Sequence, residues 1–203
     1  MLVIRQPKNT QLKNTIILFI ASILTFGGFY LLSLTIAPTV APIISNKTID
    51  VKELKKPDIN ENRIIIPKIG INIKYAPGEE SLDRGAQWRY PERGNPEIGG
   101  NFIIAAHRFS IQPTPQGTIE KSPFYHIDKL ENGDNILIDF NGKRYAYEIN
   151  EKTDVNPNQI EIEDPSETAK LTIYSCELGG AKGRRIVIVA KLLGQVNTTT
   201  SNS

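Results

Sequence analysis

Three residue types in this chain can do chemistry together: a cysteine, a histidine and an arginine, each set at the end of an apolar run. Cys176 closes the run Leu171-Thr172-Ile173-Tyr174-Ser175 and opens onto Glu177-Leu178-Gly179-Gly180. His107 directly follows Asn101-Phe102-Ile103-Ile104-Ala105-Ala106, and Arg185 leads Ile186-Val187-Ile188-Val189-Ala190. A strand end that opens into a glycine-rich loop presents its side chain to a cleft rather than to the core. If the strands ending at Cys176 and starting at Arg185 are antiparallel neighbours, these two residues face each other.

Each type has a distinct task. A thiolate is a strong nucleophile, but a thiol of ordinary pKa, about 8.5, is mostly protonated near neutrality unless cations stand close. An imidazole, with an ordinary pKa of about 6.5, suits proton delivery to a leaving amine. A guanidinium stays charged and donates hydrogen bonds to a developing oxyanion or a substrate carbonyl. No feature of the sequence supplies a third residue to orient His107.

Cys176 is the only cysteine and His126 the only other histidine. An intramolecular disulfide and a cysteine-based zinc site are therefore excluded, and neither a metal centre nor a cofactor is expected. A lone cysteine also fits a bland role as a small buried apolar residue. On that reading the chain is a non-catalytic surface-binding β-barrel. The net charge of +2, without any Lys/Arg run, argues against a nucleic-acid partner.

The elements that must hold these residues read as strands. Arg63–Pro67, Gly70–Tyr75, Asn101–Ala106, Asn135–Phe140, Lys143–Asn150, Ala169–Ser175 and Arg185–Leu192 are short apolar runs bounded by turn signals. Asn141-Gly142 is a hairpin signal, since both residues tolerate positive φ. Helical periodicity is weak, with one short helix expected near Ser81–Arg84. Seven or eight short strands without sustained helices imply an all-β sandwich or closed barrel.

The N-terminal part is of another kind. Ile16 to Ile36 carries no charge and, at about 1.5 Å per residue, spans about 31 Å, close to a bilayer's hydrocarbon thickness. Arg5, Lys8 and Lys13 precede it without an acidic residue, which favours a cytoplasmic N-terminus. The run is long and Pro38 and Pro42 follow it, so it reads as an uncleaved signal anchor rather than a leader. Residues 37–60, punctuated by prolines and increasingly charged, read as a solvated stalk with a helical turn near Ile49–Lys55. The division expected is a cytoplasmic N-terminus (1–15), transmembrane anchor (16–36), stalk (37–60), folded domain (61–194) and disordered tail (195–203).

The motifs resemble one known family. Leu171–Leu192, with Cys176 and the Arg-led strand, is similar to the signature of the sortases, usually Thr-Leu-x-Thr-Cys, a loop and an arginine strand. Gly100–Phe109 resembles their catalytic-histidine strand. Leu82–Asn101 and Phe124–Ile138 are similar to the blocks before and after it. Ser175 stands where the family usually has Thr, and Ala106 where Gly is common.

The resemblance, which is class D/E-like, covers Ile64 to Leu192. It implies a closed eight-stranded barrel with short helices. It implies Cys176 as nucleophile, His107 as acid–base group and Arg185 as substrate and oxyanion contact. Arg185 matches because the family arginine lies five positions before the strand's alanine, here Ala190; Arg184 stays open as the alternative. His126 matches no catalytic position and reads as structural.

The activity implied is transpeptidation. A surface protein's C-terminal sorting signal of the LPxTG type is cut through a thioacyl intermediate and passed to an amine acceptor, a cell-wall precursor or a pilin lysine. A single-pass membrane protein with an extracellular domain suits that task, and a hydrolase with the same site is the nearest alternative. The family's peptide-contacting loop corresponds to Thr153–Thr168. Its Glu161, Glu163, Asp164 and Glu167 read as a solvated acidic loop rather than a cation site.

Overall fold

Apolar alternation in the second half of the chain builds strands that close on themselves. The computed structural model describes residues 10–45, 49–176 and 183–196. The basic N-terminus (1–9), the glycine-rich stretch after Cys176 and the polar tail from residue 197 on lie outside the described residues.

The strands are β1 (Arg63–Ile66), β2 (Ile71–Pro77), β3 (Ala86–Arg89), β4 (Gly94–Asn95), β5 (Gly99–Ala105), β6 (Asn135–Phe140), β7 (Lys143–Val155), β8 (Lys170–Cys176) and β9 (Arg185–Gln195). Their order is β3-β2-β1-β6-β7-β9-β8-β5, and β3 pairs back onto β5 to complete an eight-stranded barrel. The two-residue β4 hangs on the start of β5. Closure leaves no free sheet edge among these eight strands.

Strand alternation sorts the side chains. Ile64, Phe102, Ile104, Ile138, Ile173 and Ile188 point into the barrel and are at most 1% exposed. Burying a side chain of this size contributes about 1.5–3 kcal/mol. One end of the barrel is filled by Trp88, whose ring meets Tyr75, Phe102 and Phe140 edge-on at 5.6–6.3 Å between centroids. The other end is capped by Phe124, Ile127 and Leu130, all fully buried. These belong to the long segment between β5 and β6, which returns to the barrel where the Phe124 N–H donates to the His107 carbonyl at 3.0 Å.

The Asn141-Gly142 turn forms as its chemistry predicts, with φ of 47° and 73°, and it sets the β6–β7 register at Phe140↔Lys143. The short helix expected near Ser81 is a 3₁₀ turn over Glu79–Arg84. β3 and β4 were not expected, and inside the Pro-rich stretch after His107 a short helix α2 (Pro115–Glu120) starts at Pro115. The Thr114 side chain caps it by accepting from the Gly117 N–H at 3.0 Å.

The N-terminal helix α1 (Thr10–Ser45) is about 54 Å long at 1.5 Å per residue, and Leu12–Ala41 is long and apolar enough to cross a membrane. It continues through Pro38 and Pro42 into the segment whose composition suggested a stalk. Pro42 has no N–H to give the Pro38 carbonyl. That carbonyl instead meets His126 Nε2 at 3.0 Å. Thr39 Oγ1 lies 2.8 Å from the Tyr125 hydroxyl, and Tyr30 donates to the Pro113 carbonyl. After the helix, a single 3₁₀ turn at Val51–Glu53 is capped by Asp50.

Candidate active site

Two registers bring the sequence-selected residues together. β8 pairs antiparallel with β9 so that Cys176 stands opposite Arg185 on the last rung. β5 runs parallel to β8, with Ala105 opposite Tyr174. The Ala106 N–H donates to the Tyr174 carbonyl at 3.4 Å, which carries the pairing one step beyond the strand. Continuing that register, His107 comes level with Cys176. The three residues thus lie side by side across β5, β8 and β9 at the end of the barrel capped by Phe124 and Leu130.

His107 and Arg185 also share a face. Ile104, Ile173 and Ile186 line the interior, whereas Ala105, Tyr174 and Val187 form a second apolar cluster on the outside of the barrel. By the period of two, His107 and Arg185 belong with the outer set. The β7–β8 connection covers that face, with Ile162 packed against the cluster.

Arg185 is half-buried, and its guanidinium carbon sits 5.4 Å from the centre of the Tyr174 ring. Its Nε is buried and has no hydrogen-bond partner among the described residues. A buried donor left unmatched costs about 1–3 kcal/mol, and such a group is one a ligand's acceptor can satisfy. Arg184 differs: it is exposed and donates to the Asp154 carbonyl at 2.9 Å. His107 is half-buried, and its ring makes no hydrogen bond among the described residues. Its neighbour Arg108 pairs with Asp128 at 3.2 Å and holds the start of the β5–β6 segment.

Sequence reasoning missed the role of Glu163. Its side chain is 6% exposed rather than solvated. It accepts a hydrogen bond from the Tyr174 hydroxyl, and Arg89 Nε lies 2.6 Å from the same oxygen. The Arg89 N–H points off that line, so the contact is an ion pair and not an aligned hydrogen bond. Burial, with the bond to Glu163, pushes the Tyr174 hydroxyl well above the ordinary tyrosine range, so it stays a donor. Burial works against the Arg89 charge, but Tyr174, Glu163 and Tyr90 outweigh it and hold that pKa above its ordinary value. A buried carboxylate needs such partners, and sequence spacing gave no sign of them because Arg89 is remote in the chain.

The same loop is held at its backbone. Arg93 donates to the Glu163 carbonyl, and the buried Asn101 amide donates to the carbonyls of Ile162 and Asp164 at 3.1 and 2.7 Å. Thr172 Oγ1 donates to the Asn101 side-chain oxygen Oδ1 at 2.7 Å. Among the described residues no group of three or more His, Cys, Asp or Glu is placed to hold a metal ion. A cleft of about 830 Å³ lies elsewhere, between the end of α1, the β1–β2 corner and His126, and includes none of the three candidate residues.

Comparison with known proteins agrees with this architecture. Residues 64–193 match the family model of the sortase domain. Sortase SrtE1 of Streptomyces coelicolor is 32% identical over 109 residues, which is 49% of this chain but 28% of that protein's length. Sortase A of Bacillus anthracis is 24% identical over 161 residues, covering 72% of this chain and 71% of that protein. Among solved structures, a Clostridium perfringens sortase D5 transpeptidase superposes with a TM-score of 0.54 at 27% identity, covering 74% of this chain and 88% of that one. Sortase E1 of S. coelicolor, solved with a tripeptide in its active site, shares the fold with a TM-score of 0.56 at 22% identity, over 66% of this chain and 88% of that one.

Proposed function

The chain belongs to the sortase family, and from that premise we propose that it is a cysteine transpeptidase in which Cys176, His107 and Arg185 act on a surface protein's sorting signal. The observation that carries this reading is the register that sets the three residues level on β5, β8 and β9. The Cys176 thiolate attacks the scissile carbonyl, forming the C–S bond. Negative charge develops on the carbonyl oxygen, where Arg185, its Nε unpartnered among the described residues, supplies donors. The C–N bond then breaks as His107 gives its proton to the leaving amine. An incoming amine attacks the thioester and returns a proton to His107. The new C–N bond forms as the C–S bond breaks, and the thiolate is restored.

The signal peptide, of LPxTG type, lies against the outer face of β8 under the β7–β8 loop. The acceptor is an amine of a cell-wall precursor or a pilin. The apolar helix supports tethering to the cell membrane by a single span. The basic residues before it favour an internal N-terminus and an extracellular barrel. Substrate and acceptor on the same membrane surface would then meet a site held at that surface.

The full chain in detergent, incubated with a quenched-fluorophore library of LPxTG-like peptides, tests this. Cleavage should require Cys176, with Cys176→Ala reduced to background, and an added amine should appear joined to the new carboxyl end. Hydrolysis alone, indifferent to the amine, would make the protein a cysteine hydrolase. No Cys176-dependent turnover together with an unreactive thiol would leave a barrel that only binds.

A further inference from the structure

The outer face of β8 carries a chain of contacts that begins at Arg185 and ends in the loop over the site. Tyr174 sits opposite Val187, so the Arg185 guanidinium reaches diagonally over its ring at 5.4 Å, within the range of a cation–π contact. The same tyrosine gives its hydroxyl hydrogen to Glu163 of the β7–β8 loop. Glu163 is paired with Arg89 of β3, and its carbonyl accepts from Arg93. Arg93 in turn lies 3.9 Å over the ring of Tyr90, which is held at φ 48° and ψ 68°. A non-glycine residue in that left-handed region is sparsely populated and persists where surrounding contacts over-determine it.

We propose that Tyr174 is a positioning residue for the reaction: its ring sets the direction of Arg185, and its hydroxyl, through Glu163 and Arg89, couples that setting to the loop covering the site. The inference rests on the assignment of Arg185 made above. Arg185 otherwise has little to hold it, since its Nε bonds to nothing described. A flat ring fixed at its far end by a buried carboxylate gives the guanidinium a rigid seat, and leaves its edge free for an oxyanion. The loop that would contact the peptide is tied to the same hydroxyl. The arginine and the loop are thereby seated on the two ends of one side chain, the ring and the hydroxyl.

The test needs no substrate. In the full chain in detergent, Cys176 is alkylated by iodoacetate, an anion, or by iodoacetamide, which is neutral. A guanidinium aimed at the thiolate raises the ratio of the two rates by about fivefold over Arg185→Ala, the scale of one charge acting over a few ångströms through water. Tyr174→Phe keeps the ring and should keep the ratio. Tyr174→Leu should fall to the Arg185→Ala value, and Tyr174→Met serves if the leucine variant does not fold. A Tyr174→Leu or Tyr174→Met protein with the wild-type ratio, beside a lowered Arg185→Ala, overturns the inference alone. An Arg185→Ala ratio equal to wild type overturns the arginine assignment and the inference with it. The loop half reads separately: Tyr174→Phe and Glu163→Gln should speed amide exchange at Ile162 and Asp164 by about tenfold. Unchanged exchange there removes the coupling.

Discussion

Cys176 and Arg185 are partners on the final rung of the β8–β9 ladder, while Arg184, one residue earlier, turns to solvent and bonds the Asp154 carbonyl. Arg184 lies just before β9 begins and its side chain is committed to that carbonyl, whereas the Arg185 guanidinium stands over the Tyr174 ring.

Arg184→Ala should therefore leave peptide cleavage within about twofold of wild type, since it removes only an exposed contact. Arg185→Lys keeps the charge but loses the planar fork, and kcat should fall by about a hundredfold, as when one oxyanion donor is lost. Steady-state kinetics on the best library peptide would read both. The reverse ranking would move the assignment to Arg184.

The hairpin at Asn141-Gly142 places Asp139 and Arg144 opposite each other with both side chains buried, at 3% and 4% exposure. Arg144 forks onto the carboxylate at 2.6 and 2.8 Å and also donates to the Lys55 carbonyl at 2.9 Å. Asp139→Ala leaves that guanidinium buried without its counter-charge and should cost about 3–5 kcal/mol. Replacing both partners, as in Asp139→Leu with Arg144→Met, should cost much less than the single change. Thermal unfolding followed by near-ultraviolet circular dichroism would compare them. A double variant no more stable than Asp139→Ala would show that the pair is not what the barrel needs there.

High pH should unfold the barrel through its tyrosines. Burial raises the pKa of Tyr75, Tyr147 and Tyr174 well above the ordinary 10.0. A group whose folded pKa is raised contributes stability that is complete below the unfolded value and is lost as pH climbs toward the folded one. Stability should therefore fall from about pH 10 upward, and phenolate absorbance for these three should appear together with unfolding. Gradual ionisation of all the tyrosines with circular dichroism unchanged would contradict their burial.

Much of the barrel was legible because period-two alternation and turn chemistry are local. The seven expected apolar runs all became strands, and Asn141-Gly142 turned where its tolerance of positive φ allows. Ala86-Gln87-Trp88-Arg89 was not legible. Four residues with two polar side chains carry no periodic signal, and β3 exists because it pairs with both β2 and β5 to close the ring.

The sequence by itself determined the residue types available for chemistry, the strand ends on which they stand and the apolar helix that precedes them. Only the tertiary structure decided which strands are neighbours, because pairings such as β5 with β8 join segments far apart in the chain and depend on barrel closure. It decided, too, that Glu163 turns inward: a carboxylate reads as solvated until remote partners such as Arg89 and Tyr174 repay its desolvation. His126 is the same case, since its partner is a carbonyl freed by a proline in a helix that local sequence could not place beside it.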